Sequence, residues 1–507
     1  VDNIYDEVGR LFVDRRNGVP ELRTNYSYNL RSWLKGVSSP LFSQTLNYQE
    51  TINDISPCYN GNISSMTWKS GAGATPRGYK FSYDRLGRLT DAEYGEGPSL
   101  SVNTNRFNEQ VTGYDKMGNI LGLKRYGQTS ATGYDVIDDL SLSYVGNRLK
   151  KVADRSGTSA FNNGFEFKDG VDLSTEYEYD ENGNLTKDLN KNKTAIQYNC
   201  LNLPSRVMFA NGNSISYLYD AAGRKLRTVH VLEGDSVTTD YCGNVVYENG
   251  VPQILLTEAG YVSLTDGKYH YYLKDHQGNN RVVVDEEGTV EEVNDYYAFG
   301  GLMSTSSRQS VQPYKYNGKE LDRKGGLDWY DYGARHYDSV LGRWNGVDPS
   351  CEKHYSWSPY VYCKNNPVLR IDPDGKDDYV INYHGQLQLM RRTNRIVDVL
   401  YASGTSGTVS KINPEWKNIK VFDKSILPAL ETNLGNNTSG ADYFAETSSA
   451  YDAANIATFG IENTGVEWKY TAGYRDGEKK YIIGNSSRDY SVSTLEGINN
   501  NPFEGFQ

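Results

Sequence analysis

The chain has 507 residues, 50 of them glycine and 42 tyrosine, with 37% hydrophobic residues and a mean hydropathy of −0.67. Its formal charge is −11, and residues 377–507 hold 12 Lys and Arg against 16 Asp and Glu, so nucleic acid is excluded as the main partner. No apolar run approaches the ~18 residues that a membrane-spanning helix needs.

A chain of this length predicts several domains with a sizeable core. The tyrosine share favours sheet over helix, because broad aromatic rings fit a pleated, half-buried surface. The five cysteines, Cys58, Cys200, Cys242, Cys351 and Cys363, are scattered and odd in number, which argues against a disulfide framework. Cys351, His354 and Cys363 lack the fourth ligand and the paired spacing of a zinc site. The opening VDNIYDEVGR carries neither an initiator Met nor an apolar leader, which suggests a piece of a longer protein whose export signal lies elsewhere.

From Tyr5 onward one pattern returns: Tyr-Asp, two residues, Gly, Arg or Asn, then an aliphatic residue or Lys. It reads YDEVGRL at Tyr5, YDRLGRL at Tyr83, YDKMGNI at Tyr114, YDENGNL at Tyr179 and YDAAGRK at Tyr219, with weaker copies YVGNRL at Tyr144 and YNCLNL at Tyr198. In TEYEYDENGNLTKDL, Tyr177 and Tyr179 share one face of a strand. Asp180 can bond the turn backbone, Asn182-Gly183 is a hairpin signal because both residues tolerate positive φ, and Leu185 begins the returning strand. Each unit is thus strand, turn, strand, and the units in series make a long antiparallel sheet that must twist.

These copies resemble the YD-repeat, or Rhs, family. The resemblance implies a ribbon of β-hairpins wound spirally into a hollow shell, of which residues 1–268 are the wall. An ordinary β-solenoid decorated with tyrosine and glycine is the other reading, and it leaves the chain mainly β.

Residues 269–376 change wording, with LKDHQGNNR, YNGKELD, YGARHYDSVLGRW and two Asp-Pro pairs, at Asp348-Pro349 and Asp372-Pro373. Arg335, Arg343 and Trp344 are placed for stacking or cation–π contacts. The segment resembles the Rhs repeat-associated core, which in the family plugs one end of the shell. Two carboxyl groups in mutual hydrogen-bond reach share a proton, as in an aspartic protease. The resemblance implies that Asp348 and Asp372 are such a pair for self-cleavage near Gly375 and Lys376. The first motif, VDPSCEK, departs from the family by lacking the Gly and the basic residue before its Asp. Both Asp-Pro pairs can also be read as turn formers alone.

Residues 377–507 predict a small, incomplete α+β domain. Strands are expected in DDYVINYHGQLQLMRR with a turn at His384-Gly385, in NRIVDVLYASG, in TGVEWKYTAGYR and in KKYIIGNS, with a helix over about 441–459. FGIENTGVEW resembles the start of a JAB-like toxin domain, whose strand glutamate is the general base for a zinc-bound water. That implies Glu467 as base. The matching His-x-His-Pro and Ser-x-x-Asp ligands are absent, so no metal site is expected in this chain, and zinc enters only if that motif follows downstream. Glu467 on an exposed strand face is the other reading.

Together the resemblances imply an exported bacterial polymorphic toxin, secreted or at the cell surface, whose β-shell encloses a C-terminal effector. Its partners would be an immunity protein and delivery machinery. The alternatives are a surface adhesion protein binding glycans, in the manner of teneurin YD shells, and an inert truncated remnant.

Overall fold

The computed structural model describes residues 2–50, 55–162, 164–308, 311–349, 351–353 and 355–372, then seven strands between 378 and 485 and the helical residue Ile456. The chain forms two compact units, residues 1–373 and 374–507.

In the first unit, twelve strands from Asp2–Tyr5 to Arg148–Asp154 make one sheet, and thirteen from Tyr177–Tyr179 to Val290–Val293 make a second. Every strand pairs with the next in sequence, and neither sheet closes on itself. The wall is therefore an open antiparallel ribbon, as the YD pattern predicts.

The repeat explains the ribbon. In YDRLGRL, Asp84 Oδ1 accepts the backbone N–H groups of Leu86 and Arg88, both at 2.9 Å, and its Oδ2 takes Arg88 Nε at 2.6 Å. Gly87 closes the turn onto Asp84 O at φ +75°, a left-handed conformation that costs glycine nothing. Tyr83 pairs with Leu89 across a bulge, so the loop is longer than a two-residue hairpin. Asp6, Asp115 and Asp220 repeat the two backbone bonds. The Asn182-Gly183 turn corrects one expectation: Gly183 is left-handed at φ +83° and Asn182 is not, because Asp180 accepts Asn184 N–H at 2.8 Å and sets a longer loop.

Copies interlock through the tyrosine hydroxyl. Tyr28, Tyr114, Tyr144 and Tyr198 donate to the carbonyls of Leu11, Leu89, Ile120 and Leu185, at 2.9, 2.5, 2.7 and 2.7 Å. Each acceptor is the last motif residue of an earlier copy, so tyrosine does what phenylalanine cannot. Arginines add to the stack, with Arg10 over Tyr28 at 4.7 Å and Arg88 over Tyr114 at 4.4 Å.

Where the two sheets meet, Glu176 replaces a missing ladder. Its carboxylate accepts Val152 N–H at 3.0 Å from the last strand of the first sheet and Asn190 Nδ2 at 2.9 Å from the second. Past the second sheet, Glu320–Asp322, Trp329–Asp331, His336–Asp338 and Arg343–Trp344 form a four-stranded sheet. Its buried side chains, among them Leu321, Trp329, Tyr337 and Trp344, join one hydrophobic cluster with wall residues from Leu22 to Val284. The closing segment is thus packed onto the wall as a single core.

The second unit holds a four-stranded sheet in the order Leu387–Arg391, Asp378–Ile381, Asp398–Ala402, Asn418–Val421, and a three-stranded one of Tyr443–Thr447, Glu478–Asn485 and Trp468–Arg475. The strands expected around 378–391, 398–402, 468–475 and 478–485 are all present. The helix expected over 441–459 is corrected at its start: Tyr443–Thr447 is a strand paired with Tyr481–Asn485, and the helical residue described in that range is Ile456. Tyr, Phe and Thr suit a sheet, and an adjacent aliphatic strand overrides the local preference of Ala and Glu.

Candidate functional site

Arg335 organises the site. It leaves the tight turn in which Tyr332 N–H bonds Arg335 O at 3.0 Å, and it lies over Trp344 at 4.2 Å. Trp344 is itself held edge-on by Tyr332 at 5.0 Å and Tyr362 at 5.4 Å. The Arg335 side chain is only 8% exposed, and its Nη2 reaches Asp348 Oδ2 at 3.5 Å and Asp372 Oδ2 at 3.1 Å. Nη1 donates to Pro359 O at 3.4 Å.

The two Asp-Pro aspartates are therefore brought to one place, through a shared cation. A protease-type dyad needs carboxyl oxygens that share a proton, whereas here each gives an oxygen to the same guanidinium. Asp348 also shapes a turn, its O accepting Cys351 N–H at 2.9 Å and its N–H bonding Pro359 O at 3.0 Å. Beside them, burial pushes the Cys363 thiol well up, and the Asp372 charge adds to the effect, so that cysteine is no thiolate nucleophile. Arg343 stacks over Tyr144 at 5.2 Å and Tyr360 at 5.0 Å, as its sequence context predicts. Gly375, Lys376, His354, His384 and Glu467 lie outside the described residues. Among the described residues, no group of three or more His, Cys, Asp or Glu is arranged to hold a metal ion.

Asp348 and Asp372 flank a segment, residues 357–370, that crosses the wall turns. Asn366 Nδ2 donates to Gly87 O at 2.8 Å, Asn365 Nδ2 to Gly118 O at 2.7 Å, and the Tyr360 hydroxyl to Gly183 O at 2.7 Å. Each acceptor is the glycine of one YD turn. A Cβ at Gly118 would stand 2.9 Å from Trp357, and one at Gly183 would stand 2.7 Å from the Tyr360 hydroxyl, so the segment needs glycine for its close approach. Farther on, His276 Nε2 bonds Val368 O at 2.9 Å and Gln277 bonds Pro367 O and Arg370 O. Burial lowers the His276 pKa, which suits a neutral ring donating to a carbonyl.

Sequence reasoning missed these anchors, and it missed degenerate turns, one of them VDEEGT, where Asp285 Oδ1 accepts Glu287 and Thr289 N–H at 3.1 and 2.7 Å. YNLRSW has Asn29 Oδ1 accepting Arg31 and Trp33 N–H at 2.9 and 3.0 Å, and KDHQGNN has Asp275 Oδ1 accepting Gln277 and Asn279 N–H at 3.0 and 3.1 Å. An Asp or Asn at the end of a strand, followed three places on by Gly or Ser, was the available signal.

The profile of the teneurin YD-shell family matches residues 44–368. Salivary gland surface protein 1 of Aedes aegypti is 31% identical over 224 residues, covering 39% of this chain and 6% of that protein. The tRNA3(Ser)-specific nuclease WapA of Bacillus spizizenii is 26% identical over 311 residues, covering 58% of this chain and 11% of that protein. A crystal structure of TcdB2-TccC3-Cdc42 superposes with a TM-score of 0.50 at 17% identity, covering 73% of this chain and 20% of that one. The chain thus spans only a small part of the proteins it resembles.

Proposed function

The chain belongs to the teneurin YD-shell family, and from that premise we propose that it is the end of a toxin-type container: the last wall hairpins, the core that closes them, and the start of an enclosed effector. One observation carries the reading. The closing core is packed into the wall's own hydrophobic cluster up to Val368, and a separate compact unit begins at residue 374. The resemblance to toxin subunit YenC2 of Yersinia entomophaga, 36% identical over 96 residues and covering 18% of this chain and 10% of that protein, supports a toxin over a plain solenoid.

On this reading the protein is exported and acts on competing cells, with an immunity protein and a delivery apparatus as partners. Glu467 is the residue that a JAB-like effector would use as base. No histidine follows His384 in this sequence, so its residues do not fit a catalytic zinc.

Self-cleavage near Gly375 and Lys376 would release the effector inside the container. One aspartate takes a proton from water as its oxygen adds to the peptide carbonyl, and the other gives a proton to the leaving amine. Arg335 must then yield one carboxylate. Purified wild-type chain, incubated and weighed by mass spectrometry, should appear as two fragments, and Asp372→Asn should remain whole. A wild-type chain that stays at full mass rejects self-cleavage, and the absence of any growth effect from the full-length gene product expressed in a bacterial host rejects the toxin.

A second reading, glycan binding at the cell surface, draws on the Aedes relative. It also draws on a trough of about 690 Å³ lined by Phe12, Ser27, Ser38, Ser43, Thr45 and Thr67. Binding to a glycan array without toxicity would favour it.

A further inference from the structure

Between Asp348 and Asp372 the chain runs as a strap over turns that belong to different parts of the wall. Gly87 and Gly118 lie in the first sheet and Gly183 in the second. Three strap side chains take one glycine carbonyl each. The strap is also strained at its centre: Cys363, Lys364 and Asn365 have φ of +48°, +52° and +57°, three consecutive non-glycine residues in a left-handed turn. Such a turn persists only if its surroundings hold it, and the bonds from Asn365 and Asn366 lie at its end. Asn366 Nδ2 is held doubly, at Gly87 O and at Asn62 Oδ1 3.1 Å away.

We infer that Tyr360, Asn365 and Asn366 are positioning residues: by engaging the glycine carbonyls of three wall turns they seat the strap in register and so deliver Asp372 to Arg335 and Asp348. Because the three carbonyls come from both sheets, the strap seats fully only on a wall whose two sheets have folded and met. Its chemical consequence rests on the self-cleavage reading: cutting waits for a finished container. The seating itself is independent of that reading.

The experiment compares the full wild-type chain with Asn365→Asp/Asn366→Asp and with Tyr360→Phe. It reads hydrogen exchange of residues 357–372 and the rate of self-cleavage, each as a ratio to wild type, from about pH 4 to pH 8. An ionised aspartate cannot donate to a carbonyl, but its protonated form can, with a titration near 3.9 in the free residue. At pH 8 the double variant should exchange at least about tenfold faster in the strap, as expected for three lost hydrogen bonds. Exchange in Arg77–Tyr83 and Glu109–Tyr114 should be unchanged, and cleavage should slow by a similar factor. Toward pH 4 both ratios should fall back part of the way toward one, as protonated aspartates regain one donor each, which a merely disrupted fold would not do. Tyr360→Phe should loosen the strap at every pH.

Strap exchange equal to wild type in both variants overturns the seating. A loosened strap with cleavage at the wild-type rate overturns the coupling. A wild-type chain that never cleaves rejects self-cleavage and the coupling with it, while the exchange ratios still decide the seating.

Discussion

At the scale of single residues, the wall is held by polar groups used where water cannot reach. Lys193 is fully buried, donates to Leu327 O at 3.0 Å and stands 4.1 Å above the Trp329 ring. Burial, and then the neighbouring Lys191, push its ammonium down to about 8. The unfolded chain keeps that proton to about pH 10.4, so between about pH 8 and 10 the unfolded state binds more protons and this residue's contribution to stability rises with pH, by up to about 3 kcal/mol. Urea unfolding of wild type against Lys193→Met should show that rise in wild type only. The reading of tyrosine from composition was right about sheet but blind to its hydroxyl, because the acceptor carbonyls sit one copy away and no local pattern names them.

At the scale of elements, the seam between the sheets hangs on Glu176. Glu176→Ala leaves Val152 N–H buried and unpaired and leaves Asn190 Nδ2 only the Tyr177 hydroxyl at 3.4 Å, which should cost about 1–3 kcal/mol. Hydrogen exchange should quicken first in Arg148–Asp154, the strand that Glu176 covers. The hairpins were legible in the sequence because every bond of a YD turn spans two to four residues, as Asp84 with Leu86 and Arg88. The strap was not legible, since Asn365 and Gly118 are 247 residues apart and nothing in YCKNNP advertises a carbonyl acceptor. Asp348 and Asp372 were singled out by their motif as a pair, and the structure brings both to Arg335, which the sequence showed only as a stacking residue. The helix expected at 441–459 failed where Tyr443–Thr447 found a strand to pair with.

At the scale of the whole molecule, residues 1–373 carry their own core, drawn from Leu22 to Val368. A chain ending at residue 373 should therefore fold to the same sheet content by circular dichroism, with one cooperative transition. A loss of that transition would make the second unit part of the first unit's stability. The interlock of copies also gives the wall a direction. The hydroxyls of Tyr28, Tyr114, Tyr144 and Tyr198 each look back to a carbonyl already laid down, and within the wall strands pair only with their sequence neighbours. A ribosome therefore delivers every new hairpin beside a finished docking edge, with short loops to close and no distant partner to await. Walls of this kind can lengthen or shorten by whole hairpins through gene duplication, since a new copy meets the same two neighbours as the old. The pieces that cannot be duplicated freely are the few turns whose glycines the strap must find.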